Sequence, residues 1–133
     1  MKVYLASPFF NEIERNNVIR MAKYIRERGH EVYVPMEHEI ENAWDLPNNV
    51  WASKVFQEDV KAINESDFVV AITYGMTDDA GTSWEIGYAY GIHKPVQVVA
   101  VNKTTYSLMV YQSATSCIDI FGEEKEIKDF LQS

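Results

Sequence analysis

The sequence predicts a single α/β domain spanning 1–133: a doubly wound, five-stranded parallel sheet flanked by helices, of the Rossmann-like or flavodoxin-like type. Three observations carry that expectation. Short β-rich runs alternate with helical patterns along the chain, the order that builds parallel sheets with helices on both faces. The run DFVVAIT (67–73) is apolar without alternation, as in a strand buried on both faces. At 133 residues and 47% hydrophobic content the chain can bury one core without a linker.

The elements follow in order. KVYLA (2–6) reads as the first strand, closed by Ser7-Pro8. Asn11 followed three residues later by Glu14 opens a helix in which Val18, Met21, Ala22 and Ile25 repeat on one face, and Gly29 stops it. HEVYVP (30–35) is the second strand, and the polar stretch to Asn49 is a long loop of the kind that often carries function. A second helix is expected from about Trp51 to Glu65. After the third strand, a loop from Gly75 to Gly81 leads into a helix from about Thr82 to Gly91. KPVQVVAV (94–101) is the fourth strand, SLMVYQS a short helix, SCIDIF a fifth strand and EEKEIKDFLQ a closing helix. In such sheets ligands sit at the carboxyl ends of the strands, here Ser7 to Phe10, the loop after Pro35, and residues 74–82.

Charge narrows the choice of partner. Twenty acidic against twelve basic side chains give a formal charge of −8, the wrong sign for gripping a nucleic acid polymer, and no basic stripe compensates. One cysteine, Cys117, excludes an intramolecular disulfide and fits a reducing compartment; the start MKVYLASPFF has too short an apolar run for a signal peptide, so a cytoplasmic location is expected. No run approaches the ~18 apolar residues of a membrane span.

Two carboxylates stand where helices should be apolar. Glu85 shares a helical side with Gly81, Tyr88, Ala89 and Ile92; Asp59 lies at helical spacing from Val55, Phe56 and Ile63. Each acid could cap a backbone or pair with a lysine, yet from Ala62 to His93 there is no Lys or Arg. A site rich in carboxylates and poor in cations suits a reaction in which positive charge develops, such as glycosyl transfer through an oxocarbenium-like state. Phosphoryl transfer is the opposite case, and neither the phosphate-cradling nor the dinucleotide glycine motif occurs. A metal on Asp78, Asp79 and Glu85 is the weaker reading, because His30, His38 and His93 show no ligand spacing with them. Among the aromatics, Phe9 and Trp84 are expected in the core, while Phe10, in a loop mouth, is the better candidate to stack on a flat base.

Taken together, VYLASPFF (3–10), VWASKVFQEDVKAINESD (50–67) and DAGTSWEIGYAYGIHKPV (79–96) resemble the nucleoside 2-deoxyribosyltransferase family, over nearly the whole chain. The specific part is the D-x-G-x-x-x-E-x-G-Y-A pattern. The resemblance implies exchange of 2-deoxyribose between nucleobases through a covalent sugar ester on a glutamate, matched by Glu85, without metal or cofactor. It further implies that Asp59 contacts the base and assists protonation, that Asp79 binds the sugar 5′-hydroxyl, and that Tyr4 lies near the nucleophile. Phe10 and Trp51 match aromatics of the base pocket, and Gly81 leaves room for the sugar. Ser107 and Met109, in SLM, match a loop that reaches a neighbouring subunit's site, so a homo-oligomer is expected. The partners implied are 2′-deoxynucleosides and free nucleobases.

Some positions depart from the pattern. Transferases of the family often have asparagine where Ser107 stands, and related 2′-deoxynucleoside 5′-monophosphate N-hydrolases have serine there to bind phosphate. Those hydrolases also tend to have serine where this chain has Asp79, and a carboxylate would repel a phosphate. Glu39 replaces a glutamine common in the base loop, and a C-terminal tyrosine is absent. The expectation is therefore a transferase acting on free deoxynucleosides, with a monophosphate N-hydrolase as the alternative. A non-catalytic, receiver-like nucleotide sensor on the same sheet is the third reading; the VVAIT strand, ending in Thr73, lacks the acceptor aspartate of such modules.

Overall fold

The computed structural model describes residues 1–38, 48–75, 79–101 and 107–119. The elements are β1 (Lys2–Ala6), α1 (Glu12–Glu27), β2 (Glu31–Tyr33), a 3-10 turn (Pro35–Glu37), α2 (Asn48–Glu65), β3 (Phe68–Thr73), α3 (Ala80–Gly91), β4 (Val96–Ala100), α4 (Leu108–Ser113) and β5 (Ser116–Asp119). The five strands pair in parallel in the order β2-β1-β3-β4-β5. That is the flavodoxin-like order, with its switch point between β1 and β3. The closing helix expected over 123–132, Glu39 and Asp78 lie outside the described residues.

The sheet separates two cores because successive strand residues point to opposite faces. Val3 and Leu5 of β1, with Val70 and Ile72 of β3, meet Val18, Met21, Ala22 and Ile25 of α1. Tyr4 and Ala6, with Val69, Ala71, Val96 and Val98, meet Ile63 of α2 and Ile86 and Ala89 of α3. Handedness explains the division. The crossover from β1 to β2 moves one way along the sheet, and those from β2 to β3 and β3 to β4 move the other way. Right-handed connections therefore place α1 on one face and α2 and α3 on the other.

Local chemistry fixes the ends. Asn11 caps α1, its side chain accepting from the Glu14 amide at 2.8 Å, while Glu14 reaches back to the Phe10 amide at 2.9 Å. Gly29 takes φ +82 as the chain leaves α1, the left-handed conformation that glycine adopts without strain. β2 is shorter than its β-rich run because Pro35 has no amide to continue the ladder and begins the 3-10 turn. Arg26 holds that turn through Glu37, with two hydrogen bonds at 2.6 and 3.0 Å. α3 begins at Ala80 rather than Thr82 because the Asp79 carboxylate caps it. Among the described residues, no helix is long and apolar enough to cross a membrane.

Candidate active site

α2 and α3 lie side by side on one face of the sheet and line an open-mouthed cavity of about 410 Å³. α2 contributes Trp51, Ala52, Val55, Phe56, Asp59 and Val60; α3 contributes Gly81, Trp84 and Glu85. Spacing accounts for both walls: 51, 55, 59 and 52, 56, 60 form adjacent i, i+4 rows, and 81, 84, 85 share one side of a helix. The lining is apolar apart from the two carboxylates. No Lys, Arg or His is among the described residues that line it.

Beneath the cavity, β1 supplies Tyr4, whose ring is fully buried and whose hydroxyl donates to Glu85 Oε2. Parallel register sets Tyr4 beside Tyr33 of β2, and the two rings stack at 5.7 Å. Removal from water pushes the Glu85 carboxyl up to about 7; the Tyr4 hydrogen bond works against this, and the charges of Asp59 and Asp79 add to it. Burial also raises Asp59, to about 6, with Glu58 adding to the rise and His38 opposing it. The Tyr4 phenol is held far above its ordinary value, chiefly by burial and then by the negative charges of Glu85 and Asp59. Tyr33 is pushed up to about 12 by burial and by Asp59 and Glu58.

Asp79 occupies the N-cap of α3. Its Oδ2 accepts from the Thr82 amide at 2.9 Å and the Thr82 hydroxyl at 3.0 Å. Gly81 has a tighter reason to be glycine than room for a sugar: a Cβ there would come within 3.1 Å of Asp79 Oδ2. The small residue thus protects the orientation of the cap as well as opening the cavity beside Glu85.

The structure brings together Glu85, Asp59, Tyr4, Trp51 and Gly81, with Asp79 at the start of the same helix. Phe10 does not line the cavity; 77% exposed, it stacks on Phe9 at 6.2 Å, and Phe9 packs against the core on the α1 face. Ser107 and Met109 line a separate groove of about 500 Å³ with Ser83, Gly87, Tyr90 and Gln112, on another side of α3. Trp84, expected in the core, is instead 46% exposed and forms part of the cavity wall with Phe56. Its ring lies parallel to that of Tyr88 at 5.2 Å. Successive side chains diverge by ~100° around a helix, so Trp84 cannot share the side on which Ile86 and Ala89 enter the core, and the indole turns to the cavity edge. Among the described residues no group of three His, Cys, Asp or Glu is placed to hold a metal ion; Asp78, of the acidic trio considered from sequence, lies outside them.

A doubly wound α/β fold that brings two inward carboxylates into one apolar cavity has the features of a small-molecule site. The chain belongs to the nucleoside 2-deoxyribosyltransferase family, whose model matches residues 3–129. It is similar to the 2-deoxyribosyltransferase of Bacillus psychrosaccharolyticus, at 30% identity and a TM-score of 0.86, covering 97% of this chain and 91% of that one. A nucleoside deoxyribosyltransferase of Limosilactobacillus fermentum is 27% identical over 97% of this chain and 84% of its own length. A Thermofilum pendens protein, named as a candidate 2′-deoxynucleoside 5′-phosphate N-hydrolase, is 29% identical over 81% of this chain and 73% of its own. The chain is therefore an enzyme of this superfamily, whose similar members carry both transferase and N-hydrolase names.

Proposed function

We propose that this enzyme exchanges the nucleobase of 2′-deoxynucleosides through a deoxyribosyl ester on Glu85. The observation that carries this reading is the pair of carboxylates, Glu85 and Asp59, both raised by burial in one cavity whose described lining holds no cation. An ionised Glu85 oxygen attacks the anomeric carbon as the glycosidic C–N bond breaks. The bonding electron pair leaves with the base nitrogen, and the protonated Asp59 supplies the proton the departing base takes up. The acceptor base then attacks the same carbon, its N–H proton passes to Asp59, and the ester oxygen returns to Glu85 as a carboxylate. Apolar walls strengthen the attraction between Glu85 and the developing sugar cation. The Tyr4 hydroxyl fixes which oxygen is free to attack.

Asp79 suits a neutral sugar hydroxyl. Its Oδ2 is committed to the helix cap, its Oδ1 remains available as an acceptor among the described residues, and its charge opposes a phosphate. Ser107 and Met109, turned away from this chain's own cavity, would serve the site of a second subunit. The alternative reading, hydrolysis of deoxynucleoside 5′-monophosphates, is favoured by Ser107 and by the Thermofilum pendens relative.

The test is exchange. Deoxyinosine mixed with adenine should yield deoxyadenosine, and enzyme quenched during turnover of a slow-leaving 2′-fluorinated analogue should carry the sugar mass on the peptide containing Glu85. Release of sugar phosphate from dIMP or dGMP with no exchange would favour the alternative. Full activity in Glu85→Ala would overturn both.

A further inference from the structure

The cavity is longer than its chemistry needs. On α2, Trp51, Val55 and Asp59 form one row, and at ~1.5 Å rise per residue that row runs about 12 Å along the helix axis. One carboxylate stands at one end and an indole at the other. A base anchored near Asp59 therefore faces an apolar floor that continues well past a single ring.

The opposite wall is a fixed aromatic surface. Trp84 precedes Glu85, so its side chain diverges by ~100° around α3 and reaches the cavity edge. Tyr88, one turn on, stacks against it with the rings only 5° from parallel, and Phe56 of α2 meets it at 5.2 Å with the planes tilted by 59°. Tyr88 is itself tied to α2, its hydroxyl donating to Asn64 Oδ1 at 2.6 Å. Tyr88 thus covers one face of Trp84 and Phe56 braces it at a tilt, while 46% of its surface stays open. Large aromatics held rigid and uncovered at the edge of a cavity are suited to stacking a flat ligand with little loss of side-chain freedom.

We infer that Trp84, with Phe56, is a specificity-determining wall that favours two-ring purine bases over one-ring pyrimidines. The inference rests on the proposed reaction at Glu85 and names the class of base it prefers. A purine has the larger flat apolar surface to cover the indole and the far part of the α2 floor; a pyrimidine leaves both partly wetted.

The experiment compares kcat/KM for deoxyadenosine and deoxycytidine as donors, with one fixed acceptor base, in the wild type, Trp84→Ala and Trp84→Phe. The wild type should prefer deoxyadenosine. Trp84→Ala should lower the purine-to-pyrimidine ratio on the order of tenfold, mainly through KM, and Trp84→Phe should keep the ratio within about threefold. A wild-type preference for deoxycytidine, or an unchanged ratio in Trp84→Ala, overturns the inference while leaving the proposed reaction standing. Absence of turnover with either donor in the wild type removes the proposed reaction and this inference together. Sedimentation of wild type and Trp84→Ala closes the remaining route: dissociation of an oligomer by the variant would mean that a second copy, not a base, covers the indole.

Discussion

Replacing Tyr4 by phenylalanine removes one hydroxyl from the buried end of the site and leaves the ring, with its stack on Tyr33, in place. The hydroxyl donates to Glu85 and opposes the rise that burial imposes on that carboxyl. A hydrogen bond to a charged group contributes ~1.5–3 kcal/mol, and one pKa unit corresponds to ~1.4 kcal/mol. Its loss should therefore move Glu85 from about 7 to roughly 8–9. At pH 7 the ionised, nucleophilic fraction falls from about one half to about 1–10%, a loss of roughly 5- to 50-fold in rate. The sign gives the effect its signature. Raising the pH re-ionises Glu85 in the variant more than in the wild type, so the variant-to-wild-type ratio should climb towards one near pH 9. Initial rates of base release from deoxyinosine between pH 5 and 9 measure it. A ratio that stays flat across that range would refute a protonation role for Tyr4 and reduce it to packing.

Other consequences follow from the same geometry. With Asp59 near 6 and Glu85 near 7, kcat/KM should rise with pH to about 6, stay level to about 7 and fall beyond, as an initial-rate profile on wild type would reveal. Glu85→Gln should be inactive yet more stable in base. The folded-state pKa of Glu85 lies above its ordinary 4.5, so its contribution is fully present below about 4.5 and declines as pH rises through about 7. The stability gap in favour of the Gln variant should widen by about 2–3 kcal/mol between pH 4.5 and 8, and urea unfolding with no widening would contradict the burial of that charge. Gly81→Ala brings a Cβ to 3.1 Å from Asp79 Oδ2. A gain of ~1 kcal/mol in helix propensity and a similar loss in capping should nearly cancel, leaving Tm little changed while KM for deoxynucleosides rises severalfold. Asp79→Asn preserves the cap but removes the charge, and should improve dIMP relative to deoxyinosine by about tenfold in kcat/KM; an unchanged ratio would show that Asp79 does not face the 5′ position.

Periodicity made the sheet legible. FVVAIT is apolar up to its closing Thr73 and VQVVA is interrupted only at Gln97, and the Val18, Met21, Ala22, Ile25 stripe admits one helix face, which the α1 core bears out. The two inward acids were visible for the same reason, since an Asp or Glu at a core position breaks the period. What spacing could not convey was the placement of residues outside that period. Phe10 sits in a loop whose course depends on Phe9 packing beneath it, so adjacency to a strand end did not bring it into the cavity. Trp84 was expected inside because large aromatics usually bury; its i, i+4 partner Tyr88 was the available signal that it belongs to a surface stack. The start of α2 at Asn48 was hidden by polar residues that read equally well as the end of a loop.

Burying two acids in a cavity whose described lining holds no cation is unfavourable for the empty protein. Of the three carboxylates along α2 and α3 that bear on the site, Asp79 is compensated by the amide and hydroxyl it caps, and Glu85 by one phenol. Asp59 faces the cavity with burial and Glu58 opposing its charge and His38 offsetting them only in part. A ligand that stabilises this arrangement must bring hydrogen-bond donors to Asp59 and partial positive charge to Glu85, and must fill the apolar space between them. In the proposed reaction a nucleobase joined to a sugar carbon that becomes cationic meets each requirement, whereas a phosphate monoester would add negative charge beside Asp79. The two carboxylates that burial disfavours are thus the ones to which the proposed reaction gives the roles of acid and nucleophile, and its substrate would supply there what the protein leaves out.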